Sequence, residues 1–98
     1  MNTTQIETAG DTVTLRLQGE VTIEQARELH TALTAALPTG QTLAIDAAGV
    51  SRLDTAALQV LMAAAAAVPH AVLLAASSAW NDAFQRYGLE NPYRLPTP

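Results

Sequence analysis

The chain contains no cysteine, which excludes disulfide staples, thiolate metal sites and thiol nucleophiles. Basic residues are scarce as well, five Lys and Arg against nine Asp and Glu, for a formal net charge of -4. An acidic chain without a basic cluster is repelled by phosphate backbones and anionic lipid, so neither nucleic-acid binding nor direct membrane insertion is expected. The apolar run Val60 to Val68 falls far short of the roughly 20 residues needed to span a bilayer, and reads as a packed helix end. Aromatic residues number only four, Trp80, Phe84, Tyr87 and Tyr93. Alanine-rich aliphatic packing must therefore supply most of the interior of a chain that is 49% apolar. No Gly-x-Gly-x-x-Gly, Gly-Lys-Ser/Thr or Gly-x-Ser-x-Gly pattern occurs, so a phosphate-cradling loop and a nucleophile elbow are both missing. His30 and His70 lie far apart, with no neighbouring ligand or carboxylate pattern that would make either a metal ligand or a general base. These gaps point away from an enzyme and from any cofactor or metal, and toward a binding module.

At 98 residues the chain is expected to form one domain, residues 1–98, around one core. Its polar opening Met1-Asn2-Thr3-Thr4-Gln5 lacks the apolar stretch of a secretory signal, so the cytoplasm is the expected location.

What organises the chain is the segment Leu43 to Met62. Leu43 to Ile45 is a short apolar run that suits a strand covered on both faces, and Asp46 is expected to end it. After a polar loop, Asp54 stands where a helix N-cap belongs, since its carboxylate can accept backbone N–H groups that a first turn leaves unpaired. Leu58, Leu61, Met62 and Ala65 then recur at i, i+3, i+4 and i+7, the spacing of one apolar helix stripe. Thr55 is the first residue of that helix, which is expected to run to about Val68. A hydroxyl there lies near the positive end of the helix dipole, where an added negative group is electrostatically tolerated.

The strand ending in Asp46, followed by Val50-Ser51-Arg52-Leu53-Asp54-Thr55-Ala56-Ala57-Leu58-Gln59-Val60-Leu61, resembles the STAS domain, the fold of anti-sigma-factor antagonists. The upstream Gly19-Glu20-Val21-Thr22-Ile23 fits the same family, and the resemblance covers roughly Thr12 to Leu89. In that family a partner kinase phosphorylates the hydroxyl residue after the motif's aspartate, which by position is Thr55. Similar domains occur beside chemotaxis genes and as the small cytoplasmic subunit of a bacterial phospholipid-transport ABC system of the MlaB type. The chain departs from the common pattern at Ala57, where glycine is usual, and carries Thr55 where many members have serine.

The remaining elements follow from periodicity and punctuation. Strands are expected over Gln5 to Thr8 and Thr12 to Gln18, joined at Ala9-Gly10-Asp11, with the alternation of Val13, Leu15 and Leu17 marking a buried face. Gly19-Glu20-Val21 is expected to leave the sheet, and Thr22 with Gln25 forms a capping-box pattern. The helix it opens carries Ala26, Leu29, Leu33 and Leu37 inward and stops at Pro38-Thr39-Gly40. Ala71 to Ala75 reads as another buried strand. Ser77-Ser78 caps a third helix with Trp80, Phe84 and Tyr87 on one stripe and Gly88 as its stop. The tail from Leu89, with three prolines, can form at most a very short edge strand. Strand-helix-strand succession implies parallel pairing with right-handed crossovers. The expectation is an α/β fold: a STAS-like mixed sheet of four to five strands, about three helices mainly on one face, abbreviated at the C-terminus.

Asp46 and Asp54 fall at the same expected end of this sheet, a placement that suits magnesium, yet a strand terminus and a helix cap account for both. The candidate partner-binding residues are Ser51, Arg52, Asp54, Thr55, Ala56, Leu58 and Gln59, with Thr55 as the phosphorylation site. Two partner classes follow from the resemblance. One is a switch kinase, anti-sigma factor or sensor that reads the state of Thr55. The other is an ABC ATPase, for which Thr55 is a contact.

Overall fold

The computed structural model describes residues 3–36 and 42–93. Its elements run β1 (Thr3–Ala9), β2 (Thr12–Val21), α1 (Ile23–Ala36), β3 (Thr42–Leu53), α2 (Thr55–Ala66), β4 (His70–Ala76) and α3 (Ser78–Arg86). The four strands form one sheet in the order β1-β2-β3-β4. β1 and β2 are an antiparallel hairpin that turns at Gly10-Asp11, whereas β2, β3 and β4 pair in parallel. The sheet is therefore mixed, with four strands and three helices. α1 and α2 pack against each other on the same face of the sheet, as crossovers of one hand to successive strands require.

That face holds the core. Val13, Leu15 and Leu17 of β2 and Leu43, Ile45 and Ala47 of β3 form one buried cluster with Ala26, Leu29 and Leu33 of α1. Ala57, Leu58, Leu61 and Ala64 of α2 complete it from the neighbouring helix. The expected α2 stripe is thus shifted: Leu58 and Leu61 are fully buried, while Met62 and Ala65 are half-buried and the small Ala57 and Ala64 take the inner places. On the opposite face, Thr14, Arg16 and Gln18 of β2 alternate with the core residues and reach solvent to differing degrees.

Two strand ends depart from the expectation. β2 does not release Gly19-Glu20-Val21, and β3 does not stop at Asp46; the two strands stay paired as far as Val21 and Leu53. Register shifts between Arg16 and Gln18 and between Gly19 and Glu20 absorb the mismatch. Gly19 takes a φ of 75° there, a conformation that glycine reaches without steric cost. Asp46 tolerates mid-strand placement because it faces away from the core, 3.4 Å from Arg16 Nε on the adjoining strand. Such a solvent-exposed pair contributes about 0–1 kcal/mol, so it satisfies the charge without dictating where the strand ends. The polar loop expected before Asp54 is consequently strand, and α2 begins one residue after the sheet.

The caps read from the sequence are present. Thr22 lies just before α1, and Gln25 Oε1 accepts from the Thr22 backbone N–H at 3.1 Å and from its hydroxyl at 2.6 Å. Ser77 Oγ accepts from the Trp80 amide at 3.3 Å. The α1 terminator at Pro38-Thr39-Gly40, and Leu37 before it, lie outside the described residues, as do residues 94–98 of the tail.

α3 is shorter than its aromatic spacing implied. After Arg86 the chain closes with Gly88 at a φ of 65°, and the amides of Gly88 and Leu89 donate to the carbonyls of Gln85 and Phe84 at 3.1 and 2.9 Å. This Schellman arrangement turns the chain back. Tyr87 is left at the helix cap, 40% exposed, while Trp80 and Phe84 are buried. The third core aromatic is Tyr93. Its ring meets Trp80 edge-on at 5.8 Å, beside a Trp80–Phe84 contact of 5.2 Å. Its hydroxyl donates to the Leu61 carbonyl in mid-α2 at 2.6 Å. The described part of the tail forms no strand and instead straps α3 to α2.

Burial raises the Tyr93 phenol well above its ordinary pKa of 10.0. In the unfolded chain the phenol ionises near pH 10, but in the folded chain it resists, so its contribution is complete below pH 10 and declines as pH rises further. Tyr93→Phe is expected to lower stability by about 1 kcal/mol at neutral pH. It should also flatten the stability loss above pH 10, as measured by urea unfolding across pH.

Candidate functional site

The site is built where β2 and β3 end together. Val21 and Leu53 are register partners, and both are buried. One residue later on each strand the chain turns into a helix. Asp54 adopts φ -94° and ψ 175°, extended backbone, and its Oδ1 accepts from the Ala57 amide at 3.0 Å. Its own amide donates to the Val21 carbonyl at 3.1 Å, and its carbonyl accepts from the Leu58 amide at 3.0 Å. Asp54 is therefore tied both to the end of β2 and to the first turn of α2. The helix starts of α1 and α2 are held side by side as a result.

Thr55, the first residue of α2, is exposed. Ser51, Arg52 and Gln59 are exposed in the same neighbourhood, and Ala56 is half-buried. Asp54 is half-buried and its carboxylate is occupied by the cap, so its part is to shape the surface. Leu58 does not belong to that surface. It is fully buried among the sheet and helix side chains, because the α2 stripe turns it inward, and a partner cannot reach it.

Two features beside Thr55 lie outside the sequence expectations. Ile23, the first residue of α1 as Thr55 is of α2, is 62% exposed. Its position directly after the capping Thr22, off the Ala26-Leu29-Leu33 stripe, is the signal that would have marked it. On the other flank a polar depression of about 200 Å³ lies between the end of β3 and α3, where Arg52, Asp82, Arg86 and Tyr87 meet Ser51 and Asp54. Sequence spacing could not bring α3 to this place, since that depends on how the chain returns after β4.

The two aspartates considered for magnesium are not brought together as a cation site. Asp46 is engaged by Arg16 in mid-strand and by the Ala48 amide, and Asp54 by the first turn of α2. Among the described residues no group of three or more potential metal ligands occurs. His30 is exposed on α1 and His70 is exposed at the first residue of β4. Among the described residues, no helix is long and apolar enough to cross a membrane.

A mixed sheet of this order, with a helix beginning at an aspartate cap followed by an exposed hydroxyl, defines a class that comparison with known families identifies. The family model described as "Mlab, STAS domain" matches residues 4–97, and the chain belongs to that STAS family. Solved structures agree on the fold. An anti-sigma factor antagonist from Mycobacterium paratuberculosis superposes with a TM-score of 0.80 at 22% identity, covering 99% of this chain and 87% of that one. The anti-sigma factor antagonist SpoIIAA in its unphosphorylated form gives 0.81 at 19% identity, with 98% and 89% covered. The Bacillus cell fate determinant SpoIIAA in its phosphorylated form gives 0.76 at 19% identity, with 98% and 92% covered. A search of curated proteins gives no match to this sequence.

Removing the cap isolates its contribution. Asp54→Ala is expected to cost about 1 kcal/mol of unfolding free energy, and Asp54→Asn much less because an amide oxygen still accepts. Urea denaturation followed by far-UV circular dichroism measures both.

Proposed function

We propose that this chain is a protein-docking module without catalytic activity, in which a partner seats on the exposed start of α2 and the phosphorylation state of Thr55 sets its affinity. The observation that carries the reading is the exposure of Thr55 at the first position of a helix whose preceding residue already supplies the cap. A phosphate on Thr55 would add a charge of about -1.5 to -2. At this place the helix dipole favours negative charge, by about 0.3–1 kcal/mol in exposed settings, so the modification is compatible with the fold. The partner meets a different surface: a small neutral hydroxyl before modification, and a hydrated dianion beside Asp54 after it. The occurrence of the same fold in SpoIIAA in both unphosphorylated and phosphorylated forms supports this reading. The partner class is a switch kinase, anti-sigma factor or sensor, and the setting is the cytoplasm.

A second reading has its own support, because the family model that matches is described by the MlaB type. In that reading the same surface clamps the ATPase of a phospholipid-transport ABC complex, and Thr55 is a permanent contact. The two readings separate on chemistry. A switch requires phosphate on Thr55 in the source cell under some condition, whereas a clamp does not.

Thr55→Glu is expected to leave the circular dichroism spectrum unchanged and weaken partner binding by about tenfold or more, the equivalent of about 1.4 kcal/mol. Thr55→Ala should hold the binding-competent form. Calorimetric titration of a captured partner with the three proteins makes the comparison, and equal affinities across all three would eliminate the switch.

A further inference from the structure

Along the outer side of α1 and α2 the two helices leave a shallow groove, formed by adjoining depressions of about 570 and 400 Å³ that share His30, Val60 and Ala63. One end opens at Ile23 and Ala56, beside the Thr55 surface, and the other lies near Thr34 and Ala67. Its floor is apolar and built from small side chains, since alanine stands at 63 and 64 of α2 and at the capping position 67, where longer residues would fill the space. Helices of 14 and 12 residues at about 1.5 Å per residue make this groove roughly 18–21 Å long, the length of about three to four helical turns.

The charge along the groove runs opposite to that of the chain. The protein carries -4 overall, yet the titratable side chains that line the two adjoining depressions are Arg27 and His30. α2 has no charged residue at all. Glu28 is not among the lining residues, and Glu24 lines a further depression with Ile23 and Arg27 at the open end of the groove, without an ion pair to Arg27. Among the described residues Arg27 makes no ion pair, so its guanidinium is available to a carboxylate.

We infer that this groove receives an amphipathic helix of the partner, with its apolar face on Ile23, Val60 and Ala63 and acidic side chains along the margin facing Arg27 and His30. The inference deepens the docking reading and rests on it, naming the chemistry of the partner segment next to the Thr55 contact. Apolar anchors at i, i+3, i+4 and i+7 fit a groove between two helices. Charge complementarity at its margin sets orientation and discriminates against basic helices.

The probe is a synthetic helical peptide of about 14 residues with leucine at those anchor positions and glutamate along both flanks. Its twin carries lysine in place of each glutamate. Titration against the full chain, followed by backbone amide shifts, should place the acidic peptide at Ile23, Arg27, Val60 and Ala63. The lysine twin should bind about tenfold more weakly, and Arg27→Glu should reverse that preference. Ala63→Trp, at an exposed position, should block both peptides with the circular dichroism unchanged. Equal binding of the twins, shifts confined to the open sheet face, or binding of neither peptide would overturn the proposal. So would a free chain that sediments as a dimer dissociated by Ala63→Trp, which would assign the groove to a second copy. Thr55 does not line the groove, so the dependence of peptide binding on Arg27 and Ala63 should persist in the Thr55→Glu protein, even where the added charge beside the groove lowers acidic-peptide affinity. Failure of the groove and failure of the switch therefore give different results.

Discussion

The structure turns on the double tie made by Asp54. Its backbone amide binds the Val21 carbonyl at the end of β2, and its carboxylate binds the Ala57 amide in the first turn of α2. One residue thus joins two strands to a helix start. A cap of this kind is worth about 1 kcal/mol, small beside the burial of the leucine core. What it adds is position. With the residue before it fixed on both sides, Thr55 has little freedom in where its side chain leaves the domain, and a protein that reads this hydroxyl meets it in one geometry.

Around that point the two faces of the sheet differ. The face behind the helices is closed by aliphatic side chains of β2, β3, α1 and α2, and by the Trp80-Phe84-Tyr93 cluster under α3. The other face is lined along β2 by Thr14, Arg16 and Gln18 and carries the Arg16–Asp46 pair. Tyr93 gives the helical layer a second fastening, since its hydroxyl reaches the Leu61 carbonyl across 32 residues of sequence. α2 is therefore held at its start by Asp54 and near its middle by the tail. A helix fixed at two points would give the docking proposed at its first turn a rigid platform, and the small side chains along its outer side keep the groove toward α1 open.

Much of this architecture was legible in the residues because local chemistry determines it. Asp54, Thr22 with Gln25, Ser77 and Gly88 act through neighbours three to five positions away, and each stands where its chemistry places it. The alternation in β2 was readable for the same reason. The misplaced features depend on partners distant in the chain. By sequence alone Asp46 marks a strand end, since a charged side chain needs water or a partner, whereas Arg16 on the adjoining strand and an open sheet face let β3 continue. The spacing of Tyr87 from Trp80 puts it on the aromatic stripe. The glycine turn ends α3 before Tyr87 can join that stripe, and Tyr93 enters the core from outside the helix. Leu58 sat within the motif but belongs to the interior, since a helix presents only some of its first-turn residues to solvent. The exposure of Ile23 follows from its place off the α1 stripe, whereas the polar depression beside α3 has no sequence signal because concavity arises only when elements pack.

The most direct measurement is site-specific photo-crosslinking in the source cell, with a photoreactive residue placed at Gln59 on the α2 face and, separately, at Gln18 on the open sheet face. Both positions are exposed, so neither substitution disturbs the core. If α2 is the docking face, position 59 yields a discrete crosslinked partner that diminishes when Thr55→Glu is introduced, and position 18 yields none. A partner captured from position 18 alone, unaffected by residue 55, would contradict the account.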